Sequence, residues 1–140
     1  MPAFSAPLKT WGQALARFAD DKNLPDSLRN GKRLIANAIC KEPFFIAGDN
    51  RICTAIAETL GNKITPKMGA EAVYFCSLND LGLGLVLKCR DGSRRAVEFT
   101  LGQVLKLLNY KISKKLAKHF NSEIYNLSGD IVGSKSIKLL

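Results

Sequence analysis

The spacing of the apolar residues changes near residue 62, and this change most constrains what the chain can fold into. Before it, hydrophobic side chains recur every three or four residues, which is the spacing of amphipathic helices. After it, β-branched and aromatic residues gather in short runs bounded by turn residues, as they do in strands. The pattern therefore predicts a helical first part followed by strands that are neighbours in the chain.

Helices are predicted over residues 7–20, 26–40 and 50–60 in the first part. Asp26 or Ser27 would cap the second helix, Asp49 would cap the third, and Gly61 would end it. The apolar face expected for the second helix comprises Leu34, Ile35, Ala38 and Ile39.

Strands are predicted over residues 63–67, 70–78 and 82–90, with a turn at Asn79-Asp80. Helices are predicted over 93–108 and 111–120, and two short strands around Gly129 in the tail. Gly82 and Gly84 resemble part of a dinucleotide fingerprint, but its third glycine is replaced by Leu87. Close packing across a strand is the better explanation of both glycines.

The length and hydropathy bound the organisation of the chain. The 140 residues suit one compact domain, and no second domain or linker is evident. No apolar run approaches the roughly 18 residues of a membrane span. The first residues lack the pattern of a signal peptide. We therefore expect one domain over residues 1–140, in the cytoplasm and with no membrane partner.

The cysteines and the single histidine give little support for a metal site. Cys40, Cys53, Cys76 and Cys89 are too widely spaced for a C-x-x-C motif. His119 stands among lysines, which favours a surface position on a helix. We expect small buried thiols in a reducing compartment, and no metal site built from this chain alone.

A positive charge is the strongest signal of the composition. There are 21 Lys and Arg against 12 Asp and Glu, for a net charge of +9. Such a surface favours anionic partners, so a module that binds nucleic acid or another polyanion stays open. The basic patch late in the chain comprises Lys106, Lys111, Lys114, Lys115 and Lys118. It offers only Tyr110 and Phe120 for stacking on bases, which disfavours nucleic acid.

Lys67 is the charged residue whose neighbours suggest chemistry. It lies in a predicted strand, and Gly69 follows two residues later. A lysine there can project into a cleft while the bare glycine backbone faces a ligand. A cleft that excludes water favours the neutral amine, which accepts a proton from a serine. From its position alone, an ordinary surface charge is the better explanation of Lys67.

Three stretches in order resemble the C-terminal half of the thermolabile, rhizobial-type L-asparaginase II family. They are PFFIAGDNRICTAI (43–56), KMGAEAVYFCSL (67–78) and GLGLVLKCRDGSRRA (82–96). The opening PAFSAPL (2–8) and the closing SGDIVGS (128–134) extend the similarity over nearly the whole chain.

The resemblance implies an α+β fold, an antiparallel sheet flanked by helices, as part of a serine β-lactamase/glutaminase-like fold. It implies hydrolysis of L-asparagine to L-aspartate and ammonia by serine–lysine pairs. Lys67 matches the lysine of the K-x-G-A strand and would be catalytic. Gly69 would let the substrate lie along this strand. Arg51, in G-D-N-R, matches a motif with a substrate-binding or a structural role.

The chain also departs from the family pattern. Family enzymes are more than twice as long, and their nucleophile lies in an S-x-x-K motif of the N-terminal half. No serine among these 140 residues has a lysine three residues later. The zinc-binding cysteines of rhizobial members belong to that half too, so no cofactor is expected in this chain.

Three interpretations follow from this pattern of matches and departures. The first is an asparaginase-like C-terminal part that is inactive alone, because Lys67 has no nucleophile to assist. It would be completed by an N-terminal-half partner chain, or would self-associate through apolar faces left uncovered. The second is the basic polyanion-binding module. The third is a non-functional remnant of a split gene.

Overall fold

The computed structural model describes residues 4–22 and 24–138, so the start of PAFSAPL and the last two residues lie outside the described ranges. The helices are α1 (Leu8–Ala19), α2 (Asp26–Lys41), α3 (Phe44–Ala47), α4 (Ile52–Leu60), α5 (Arg94–Leu107) and α6 (Lys114–Ala117). The strands are β1 (Ile64–Met68), β2 (Val73–Leu78), β3 (Leu83–Lys88), β4 (Glu123–Tyr125) and β5 (Ile131–Ser134). Single 3-10 turns follow α4 at Gly61–Lys63 and α6 at Lys118–Phe120.

The main sheet has three antiparallel strands in the order β1-β2-β3, with β1 and β3 at its edges. In the register of β1 and β2, Lys67 lies opposite Phe75. The β4 and β5 strands form a separate antiparallel hairpin. The prediction of an α+β protein with an antiparallel sheet and helices is confirmed. Its assignment to the β-lactamase-like fold stays a prediction.

Helix α1 covers one face of the sheet, and glycine makes this approach possible. A Cβ at Gly84 of β3 would lie 2.1 Å from the carbonyl oxygen of Gly12 in α1. The Trp11 ring packs on Phe75 with centroids 5.2 Å apart, and the Ser77 hydroxyl donates to the Leu15 carbonyl at 3.1 Å. The predicted packing role is therefore confirmed for Gly84.

The opposite face of the sheet carries the hydrophobic core. Alternation along β1 buries Ile64, Pro66 and Met68 and leaves Lys67 exposed on the α1 side. Helix α4 is buried along most of its length, and α5 contributes every third or fourth residue. The largest fully buried members are Tyr74, Ile52, Ile56, Ile64, Leu78, Leu101, Leu105, Leu116 and Val97.

The apolar face of α2 is not buried, which agrees with the expectation that apolar faces are left uncovered. Leu34 is 72% exposed and Ile35 is 52% exposed, and the helix has no buried residue. The helical period was read correctly, but an amphipathic pattern does not specify what covers the face. Phe45 in the following short helix is also 81% exposed. An uncovered apolar surface therefore runs over α2 and α3.

Several boundaries also differ from prediction. Helix α3 follows Pro43 and was missed because four residues are too short for a periodic signal. Helix α2 begins at Asp26 after Pro25, so neither Asp26 nor Ser27 is its N-cap. The N-cap position of α4 is occupied by Arg51 rather than by Asp49. Residues 70–72 form a turn rather than the start of β2. The last predicted helix is only α6 and one 3-10 turn.

The described helices include none that combines the length and the apolar composition needed to cross a bilayer.

Candidate active site and cation-lined cavity

Lys67 lies on the outer strand of the sheet with its side chain exposed. Its ammonium donates to the carbonyl oxygen of Met68, the next residue, at 2.8 Å. Because β1 is an edge strand, no neighbouring strand covers this carbonyl. The amine therefore lies along an unpaired edge of the sheet and is exposed to solvent.

Cys53, in the first turn of α4, contacts the same end of β1. Its sulfur accepts the backbone N–H of Met68 at 3.1 Å, and the side chain is fully buried. Burial raises the pKa of the Cys53 thiol, although the hydrogen bond from Met68 and the positive charges of Lys67 and Arg51 oppose the rise. Both cations thus act on one buried sulfur. The first turn of α4 and the end of β1 converge there.

Gly69 directly follows β1. Its backbone N–H is hydrogen-bonded, and a side chain could be accommodated at its position. Its N–H donates to the carbonyl of Val73 at 2.8 Å. A Cβ at this glycine would lie 3.4 Å from Cβ of Val73, which is an ordinary van der Waals contact. The fold itself therefore does not require glycine here. This differs from Gly84, where a side chain would collide with α1.

The G-D-N-R stretch is a turn that leads into α4. Gly48 and Asn50 have positive φ angles of 87° and 52°, a region that glycine and asparagine enter most readily. The Thr54 hydroxyl donates to the Gly48 carbonyl at 2.7 Å and ties the turn to the helix. This geometry explains the glycine and the asparagine of the motif. It leaves Arg51 at the head of α4, half-buried.

A cavity of about 680 Å³ opens between this turn and the basic helix α6. Arg51, Thr54 and Glu58 line it from the α4 side. The lining from the other side comprises Lys114, Lys115, Lys118 and His119. The chain thus brings together two charged segments that are about sixty residues apart in sequence. Sequence reasoning named Arg51 and the lysines separately and did not predict their meeting.

His119 is half-buried rather than a surface residue, which corrects the prediction. Its side chain is 16% exposed, and Nδ1 lies 3.8 Å from a carboxylate oxygen of Glu98 in α5. Arg94, one turn earlier, donates to the other oxygen of Glu98 at 2.9 Å. Burial alone would raise the pKa of Glu98, but these two partners hold it below its ordinary value. A sequence separation of 21 residues concealed this acidic partner.

The described residues contain no cluster of three or more metal-ligating side chains. All four cysteines are free; Cys53 and Cys76 are buried, and Cys40 and Cys89 are half-buried. Burial raises the pKa of Cys76 far above its ordinary value, as expected for a thiol with no positive neighbour. The expectation of buried thiols holds for Cys53 and Cys76.

The two aromatics of the basic patch are not available for stacking. Tyr110 is 9% exposed and donates a short hydrogen bond to Asp80, and Phe120 is 4% exposed. Phe120 packs against α5 where a Cβ at Gly102 would lie 2.3 Å from its ring. Both rings therefore support the fold, and the patch offers charge without a stacking surface.

Comparison with protein families gives a match over nearly the whole sequence. The model of the family described as L-asparaginase II matches residues 1–137. The chain belongs to the L-asparaginase II family. No individually curated protein matches the sequence. In this family member, Lys67 and Gly69 share one strand end, and Arg51 stands at the head of the helix packed against it.

Proposed function

We propose that residues 1–137 supply the lysine-bearing part of an active site that hydrolyses L-asparagine to L-aspartate and ammonia. The observation that carries the proposal is the match to the L-asparaginase II family over nearly the whole chain. The open edge of β1, with Lys67 exposed beside Gly69, supports the location of the site. The three-stranded sheet would be part of a larger β-lactamase-like sheet.

The nucleophile comes from a segment outside these 140 residues. No serine here has a lysine three residues later, so the S-x-x-K element of the family must be supplied from elsewhere. When that segment covers the edge of β1, it brings the serine hydroxyl within hydrogen-bonding reach of the Lys67 amine. To act as a base, the Lys67 amine gives up its hydrogen bond to the Met68 carbonyl and binds the serine hydroxyl of that segment instead.

Proton transfer then follows from the chemistry of the amide. Lys67 accepts the proton of the serine hydroxyl while the serine oxygen bonds to the side-chain carbonyl carbon of asparagine. The proton moves to the amide nitrogen as the C–N bond breaks, which releases ammonia and leaves an ester. Water, deprotonated in the same way, cleaves the ester to aspartate and regenerates the serine.

Gly69 and Arg51 serve the substrate in this proposal. The absence of a side chain at Gly69 leaves room for asparagine against the strand, and the fold does not need the glycine for itself. Arg51 makes no ion pair with the described residues, and its charge attracts the substrate carboxylate toward the junction of α4 and β1.

The uncovered apolar surface supports docking of the completing segment. Leu34 and Phe45 are largely exposed on α2 and α3, although the periodicity is that of a buried face. Contiguous apolar surface of this kind marks an interface. Docking there would also bury the face that otherwise promotes self-association of the isolated chain.

A complementation assay tests the proposal. The isolated chain has lysine but no nucleophile, and is expected to release no ammonia from L-asparagine above background. Activity should appear only when it is mixed with an N-terminal half of a family enzyme that carries S-x-x-K. An active isolated chain would contradict the split site. A mixture that binds through α2 and stays inactive would favour the remnant interpretation.

Gly69→Ala separates substrate contact from stability in the same assay. The complemented enzyme should show a KM for asparagine about tenfold higher, because a methyl group fills space meant for the substrate. Its melting temperature should not change, since the new Cβ meets only ordinary contacts. An unchanged KM would remove Gly69 from the site.

A further inference from the structure

The cavity between α4 and α6 gathers more positive charge than its own carboxylates neutralise. Four cations line it, Arg51, Lys114, Lys115 and Lys118, against the two carboxylates Asp49 and Glu58. Of these, Lys115 is paired with Glu58. Arg51, Lys114 and Lys118 make no ion pair with the described residues. The lining therefore carries an excess of two positive charges.

Two of the groups that line this space are half-buried. Arg51 follows the Gly48–Asn50 turn, which the Thr54 hydroxyl ties to α4, and Nδ1 of His119 lies 3.8 Å from Glu98. The exposed Lys114 and Lys118 can turn toward whatever lies between them. An arginine fork and lysine ammonium groups are the side chains that bind phosphate in proteins.

We propose that this cavity binds a compact phosphate-type anion, either inorganic phosphate or the phosphate of a monoester. The cavity does not include Lys67, but it shares Arg51 with the proposed asparagine site, so phosphate and the substrate carboxylate compete for that arginine. The cations approach from two sides of one cavity, whereas a polyanion would follow a continuous strip. Asp49 also lines the cavity, and its carboxylate disfavours a ligand that carries more than one phosphate.

Titration of the 140-residue chain with sodium phosphate at constant ionic strength tests the site. Isothermal calorimetry should give one site, and amide NMR shifts should be confined to Arg51, Thr54 and His119. Arg51→Ala and Lys118→Ala should each weaken the affinity about tenfold, because each removes a charge-assisted contact. Glycerol phosphate and inorganic phosphate, titrated separately, identify which source binds more tightly.

Lys106→Ala and Lys111→Ala are the matched controls, since both belong to the basic patch but neither lines the cavity. Each should leave the phosphate affinity within about twofold. Equal losses for the control and the cavity variants would contradict the site, because they indicate a general charge effect. Tighter binding of a single-stranded oligonucleotide, or no saturable binding of phosphate, would also overturn it. Thermal unfolding of each variant without phosphate shows whether it is folded.

Discussion

Two glycines with opposite surroundings show how strongly a single residue depends on its neighbours in this fold. Gly84 faces the backbone of α1, with the amide nitrogen of Ala16 only 2.6 Å from the position of a Cβ. Gly31 of α2 has nothing within 4 Å of that position. The sequence indicated a packing role for Gly84, but only coordinates distinguish a crowded glycine from an uncrowded one.

Gly84→Ala should lower the free energy of unfolding by about 1–3 kcal/mol, because α1 must move away from β3. Gly31→Ala is the control and should raise it by about 0.5–1 kcal/mol through helix propensity. Urea unfolding followed by circular dichroism measures both. A Gly84 variant as stable as the original chain would show that α1 does not pack on β3 at this distance.

Glu98 connects stability to pH. Its folded pKa is below its ordinary value near 4.5, so its carboxylate stabilises the fold fully above that pH. The contribution is lost as the pH falls through the lower, folded value. Glu98→Gln should therefore flatten the decline of unfolding free energy below pH 4.5 and leave its slope near neutral pH unchanged. An equally steep decline in the variant would show that Glu98 has no ionic partner.

At the scale of elements, periodicity predicted most of the helices and strands. The apolar faces predicted for α4 and α5 lie in the hydrophobic core, and the predicted strands that are neighbours in the chain pair with each other. What the sequence could not supply was tertiary context. The four-residue α3, the cap at Arg51 and the Glu98–His119 pair depend on contacts that leave no local pattern. The cavity between α4 and α6 likewise depends on contacts between segments that are distant in sequence.

The exposed face of α2 gives the prediction that belongs to this scale. Leu34→Gln should change the free energy of unfolding by less than about 0.5 kcal/mol, since its side chain is mostly in water. It should also reduce self-association in sedimentation velocity. Leu101→Ala, at a fully buried position of α5, should cost about 2–5 kcal/mol. A similar cost for both would mean that the face of α2 is covered in solution.

At the scale of the whole molecule, the described residues would build only part of the proposed active site. The family match covers the chain from residue 1 to 137, and its lysine stands on the free edge of the sheet. The core lies on one side of the sheet, while apolar side chains of α2 and α3 are exposed in the described part of the chain. On the proposed function, the molecule is a folded unit that would supply half of a catalytic centre.

The rate of asparagine hydrolysis in the complemented enzyme tests this account most directly. Lys67→Ala should lower kcat by about 100-fold or more, as expected for loss of the proton-transferring group. Lys63→Ala, an exposed lysine just before the same strand, is the control and should leave kcat within about twofold. A Lys67→Ala enzyme that releases ammonia as fast as the control would contradict the assignment of the active site to the edge of β1.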